Sequence, residues 1–244
     1  MSATYSLELD GVSVMIDRAP VLSGVTMNLK PGETVALVGR NGAGKTTTFR
    51  TIMGQTDLRE GTILFNGEDI TEAPSRDRAR MGIGFAPEDR RLFTTLTVED
   101  NLRISRWGKD DTPESEFQDR LEIILDIFPE MEKFLDRPAG QLSGGQQKMV
   151  TVGRALAGEP EVILVDEPFE GLAPSVREQF RKGLERMKEF DLSVIVAESN
   201  VRHAGEVADR AYIIERGEIV GETEITADSP LEKNEEIKRI FEGG

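Results

Sequence analysis

The 244-residue sequence contains no cysteine and a single histidine, His203. Without cysteine there are no disulfides, zinc–thiolate sites, iron–sulfur clusters or thiol nucleophiles. One histidine excludes a multi-histidine metal site. Long apolar runs are missing too, and none approaches the ~18–20 residues of a membrane span. The N-terminus, MSATYSLELDGVSV, lacks the basic and apolar regions of a secretory leader. The expected location is therefore the cytoplasm, or a dock on a membrane component. Positive charge is scarce. The chain has 30 basic and 45 acidic residues, a formal net charge of −15. That balance argues against wrapping nucleic acid, which needs basic patches. Only 9 of the basic residues are lysine. Two readings fit this lopsided set: an ordinary acidic protein, or one adapted to a salt-rich solvent. An acidic, lysine-poor surface stays hydrated where salt screens charge strongly.

The length suits one or two domains with a sizeable core. Residues 6–16 and 21–29 read as β segments around a break at Asp17–Pro20. TVALV at 34–38 is a short apolar run, as a buried parallel strand would be. Residues 61–65 with Asn66-Gly67 suggest a hairpin, and 83–86 is another short apolar run. From about Thr97 to Gly158 the character turns helical, with Leu121, Ile124, Leu125 and Phe128 at helical spacing. Trp107 is expected to pack there. Residues 162–165 and 193–197 are further buried strands, 174–190 a charged helix, and 211–221 a hairpin around Arg216-Gly217. The tail from Ala227 is acidic and polar and predicts a short final helix. The class is α/β.

Gly39-Arg40-Asn41-Gly42-Ala43-Gly44-Lys45-Thr46 fits the phosphate-loop pattern, between an apolar strand and a plausible helix over 46–53. Glycines let backbone N–H groups converge on an anion, and the helix N-terminus adds partial positive charge. Lys45 would reach the β- and γ-phosphates of a nucleotide, and the Thr46 hydroxyl would ligate Mg²⁺, with Thr47 beside it. A second acidic site follows the strand at 162–165. There Asp166 would hold Mg²⁺ and Glu167 would polarise a water for in-line attack.

Leu142-Ser143-Gly144-Gly145-Gln146 opens a helix 24 residues before Asp166. This segment resembles the signature of ATP-binding cassette (ABC) ATPases, and the order of motifs extends the resemblance over nearly the whole chain. It implies a P-loop core of mixed parallel sheet and helices, an antiparallel N-terminal β subdomain, and a helical subdomain. The implied divisions are 1–87 with 159–226 for the core, 88–158 for the helical part and 227–244 for the tail. In that family two cassettes sandwich two ATPs head to tail. Ser143, Gly144, Gly145 and Gln146 would then cap the ATP held by a homologous subunit, in a hetero- or homodimer.

Pro87-Glu88-Asp89-Arg90-Arg91, Glu170-Gly171-Leu172-Ala173-Pro174, and Glu198 with Asn200 are similar to the ATPase subunits of branched-chain amino acid importers. The resemblance implies ATP hydrolysis at the cytoplasmic face of the membrane, beside integral permease subunits. The transported solute would be branched-chain amino acids, or urea or amides. Glu88 takes the place of a glutamine that links Mg²⁺ and the attacking water to the permease. Other readings are a soluble assembly-type ABC ATPase and a regulatory subunit impaired in hydrolysis.

Three departures stand out. Ile16 occupies the place of an aromatic residue that stacks on adenine, which predicts weaker base selection. Ser199 replaces a histidine that contacts the γ-phosphate, and would reach it through water. Phe169 replaces a common serine and is expected to fill the subunit interface.

Overall fold

The structure is a computed structural model and describes residues 5–105, 114–226 and 228–242. Trp107 lies outside them. The chain begins with β1 (Leu7–Ile16) and β2 (Ala19–Leu29), an antiparallel hairpin. Its turn residues Asp17 and Arg18 both have positive φ, the geometry that matches strand twist in a two-residue connection. Next, β3 (Thr34–Val38) is buried at every residue and leads through the phosphate loop into α1 (Lys45–Ile52). β4 (Leu58–Phe65) returns to pair with β1, and the short β5 (Glu68–Asp69) pairs with β4 across Asn66-Gly67.

The sequence reading did not foresee α2 (Ser75–Met81), because SRDRARM has no apolar face. Its one buried residue is Arg78, whose guanidinium donates to the carbonyls of Thr51, Ile52, Thr71 and Ala73. That contact satisfies carbonyls left open at the C-terminus of α1. The edge strand β6 (Ile83–Ala86) follows.

Helices α3 (Val98–Ile104), α4 (Glu114–Ile127) and α5 (Gly144–Leu156) come next, with two 3₁₀ turns between α4 and α5. The chain then returns to the sheet with β7 (Val162–Asp166), α6 (Pro174–Met187) and β8 (Ser193–Glu198). It ends with α7 (Val201–Gly205), β9 (Arg210–Glu215), β10 (Glu218–Glu224) and α8 (Glu235–Glu242).

Two sheets result. One is antiparallel, in the order β2-β1-β4-β5, and the other is mixed, in the order β10-β9-β3-β8-β7-β6. In the second, β9, β3, β8, β7 and β6 are parallel and β10 is the antiparallel edge. Alternation sends the two faces of β7 to different cores. Ile163 and Val165 pack with α4, α5 and α6; Val162 and Leu164 pack with α1 and the antiparallel sheet. A third, smaller core lies under α8. Because the strands run parallel, the C-terminal ends of β3, β6, β7 and β8 meet at one edge, where ligands bind in open α/β sheets.

Candidate nucleotide-binding and hydrolysis site

The phosphate loop leaves β3 at Val38. A Cβ on Gly39 would lie 2.4 Å from the Ile214 carbonyl oxygen, so only glycine lets the loop pass β9 this closely. Gly44 caps α1 with φ +115, a conformation that side chains avoid. Lys45 is 6% exposed. Its ammonium donates to the carbonyl oxygens of Gly39 (2.8 Å) and Arg40 (3.3 Å). It also pairs with Glu167 Oε1 at 3.1 Å.

The carboxylates come from the end of β7. Thr46 Oγ1 donates to Asp166 Oδ2 at 2.8 Å. Asp166 Oδ1 is buried and has no hydrogen-bond partner among the described residues. Burial raises the Asp166 pKa, and the Thr46 hydroxyl partly offsets this. An orphaned carboxylate oxygen beside a threonine hydroxyl fits a divalent cation. Among the described residues, no three His, Asp or Glu side chains could hold a metal by themselves. A cation at Thr46 and Asp166 would therefore share phosphate oxygens, as Mg²⁺ does.

Glu167 has φ +47, the left-handed region. Its Oε2 accepts from the Ser199 N–H (3.1 Å) and hydroxyl (3.2 Å). Register explains the meeting, since Asp166 lies beside Ala197 on β8. Ser199 therefore contacts Glu167. Glu88, just past β6, lies near Glu170; burial first, then the Glu170 carboxylate, raises its pKa. A cleft of about 400 Å³ is lined by the phosphate loop from Asn41 to Thr47, with Val21, Glu88, Glu167 and Glu170.

Comparison with known proteins follows this geometry. The ABC transporter family matches residues 22–170. The chain is 37% identical over 214 residues to the high-affinity branched-chain amino acid transport ATP-binding protein BraG of Pseudomonas aeruginosa. That match covers 88% of this chain and 91% of BraG. It is 35% identical to the lipopolysaccharide export system ATP-binding protein LptB of Escherichia coli, over 91% of each chain. The chain belongs to the ABC transporter family. It is an ABC ATPase. A solved nucleotide-free ATP-binding cassette of an ABC transporter superposes with a TM-score of 0.82 at 26% identity, covering 98% of this chain and 95% of that one.

In this cassette Ser143 caps α5, accepting from Gln146 N–H while the Gln146 side chain accepts from Ser143 N–H. Gly145 lies flat against α6, where a Cβ would meet Val176 at 2.6 Å. The signature residues do not line the chain's own cleft. Ile16 ends β1 near the hairpin tip and is 44% exposed, whereas Val21 lines the cleft. Phe169 departs from expectation. It is buried in the chain's own core against Phe180 and His203, not on a surface that a partner could cover. His203 pairs with Arg177 at 2.8 Å and does not line the cleft.

Two buried ionisable residues were missed as site members. Glu198 accepts from the Phe169 N–H at 3.2 Å and packs beside Glu167. Lys148 donates to the Glu167 and Glu170 carbonyls. Glu198 entered the sequence reading only through the importer resemblance, and Lys148, in the polar stretch Gly144–Lys148, gave no sign.

Proposed function

We propose that this cassette hydrolyses ATP with Mg²⁺ to power an importer of branched-chain amino acids or a related small polar solute such as urea or amides. The solute reading rests on the similarity to BraG together with the Pro87–Arg91 segment. The hydrolytic reading rests on one observation: Lys45, Thr46 and Glu167 line one cleft, and Asp166 accepts from Thr46 behind it.

The glycine amides and Lys45 bind the phosphates. Thr46 and Asp166 would hold Mg²⁺, with Glu88 near them, and the ion would supply neutralisation of the phosphoryl charge. Phosphate oxygens compete with Glu167 for Lys45. Glu167, steadied at Oε2 by Ser199, takes the proton of the attacking water. Ile16 packs on the base. A second, homologous cassette supplies the signature that caps this ATP, and Ser143–Gln146 cap the partner's.

A groove of about 510 Å³ runs between α2, β6 and α5, with Met53 and Phe85 at its floor and Arg76, Arg80, Arg91 and Arg154 around it. It suits a helix of a permease subunit at the cytoplasmic face of the membrane. No helix among the described residues is long and apolar enough to cross a membrane.

Glu167→Gln should retain ATP and lower single-turnover hydrolysis by at least about 100-fold. Unchanged hydrolysis would remove Glu167 from the role of base. A wild-type chain that binds but never cleaves ATP would instead be a regulatory subunit. The similarity to LptB favours a second reading, an export system; uptake of radiolabelled leucine and urea by the reconstituted transporter separates the two.

A further inference from the structure

α5 touches three parts of the molecule. Ser143 at its N-cap begins the signature. Near its other end, Arg154 donates to the backbone carbonyls of Arg91 (2.7 Å) and Arg90 (3.0 Å), which holds the segment beside the groove. Lys148 lies between them and is 8% exposed. It forms no ion pair with a described residue; its ammonium donates to the carbonyl oxygens of Glu167 (2.5 Å) and Glu170 (2.9 Å).

Both carbonyls belong to the turn that carries the hydrolytic carboxylate. Glu167 is left-handed and precedes a proline, and such a conformation persists only where its surroundings enforce it. The turn's own bond, Glu170 N–H to the Glu167 carbonyl, is long at 3.4 Å. The lysine is therefore the stronger partner of that carbonyl. Its charge is buried, which is costly, and the Glu170, Glu198 and Glu167 carboxylates favour it only from beyond ion-pair distance.

We propose that Lys148 is a positioning residue for hydrolysis, pinning the Glu167–Glu170 turn to the signature helix so that the Glu167 carboxylate is held over the phosphates. The inference rests on the hydrolytic reading above. It makes α5 the common support of the signature and of the chain's own base.

Single-turnover hydrolysis and equilibrium ATP binding by the full chain assembled with its partner cassette test it, with the wild type measured first. A wild type that fails to cleave ATP overturns the hydrolytic reading itself. If it cleaves, Lys148→Met, which keeps the apolar stem and loses the donors, should slow cleavage by about 100-fold, the scale of a misplaced catalytic group. ATP affinity should change by no more than about twofold. Lys148→Arg, which keeps the donors, should restore most of the rate. A Met variant as fast as wild type overturns the proposal. So does one whose affinity falls as far as its rate, because that marks a general structural role. If Lys148→Met does not fold, Lys148→Leu, which also lacks donors, carries the same expectations.

Discussion

Glu198 shows how much one buried side chain can carry. It is 1% exposed, and burial, then the neighbouring Glu167 carboxylate, push its pKa to about 8. His203 Nδ1 lies 4.0 Å away, and the Lys148 ammonium is also near. Between its ordinary value of 4.5 and about 8, the folded chain keeps a proton that the unfolded chain has lost. Stability should therefore fall as pH rises through that window. Glu198→Gln should flatten the fall, and denaturant midpoints measured across the window would check it. The phosphate-loop residues, Asp166 and Glu167 were legible because their chemistry follows a fixed spacing. Glu198 and Lys148 were not, because a charge in a strand or helix reads as exposed until its neighbours are placed.

At the scale of elements, strands were the easiest to read. β3, β7 and β8 are buried at every residue and apolar through their centres, since both faces of a parallel sheet are covered. α2 was illegible because a guanidinium, not an apolar stripe, docks it. Arg78 supplies donors to two carbonyls at the end of α1 and two more before α2. Arg78→Met should leave buried carbonyls unpaired and destabilise the chain by about 3 kcal/mol. Chemical denaturation would measure this. Phe169 was misplaced for a related reason. A large apolar side chain in a polar motif suggests an interface, but α6 provides Phe180 to receive it.

For the whole molecule, the −15 charge acts through the solvent. On the reading proposed above, the chain's own cleft meets anions through glycine amides and Lys45, inside a chain whose net charge is negative. Self-repulsion of the acidic surface weakens as salt screens it. The melting temperature should rise between low and molar salt, and a flat dependence would rule out adaptation to a salt-rich solvent.

β7 also has a mechanical consequence. Its side chains are rooted alternately in two cores, so it cannot slide or tilt without disturbing both. It is the fixed datum of the cassette. Any working stroke must be taken up by the pieces hung from it: the turn after Asp166, the segment after β6, and α5 between them.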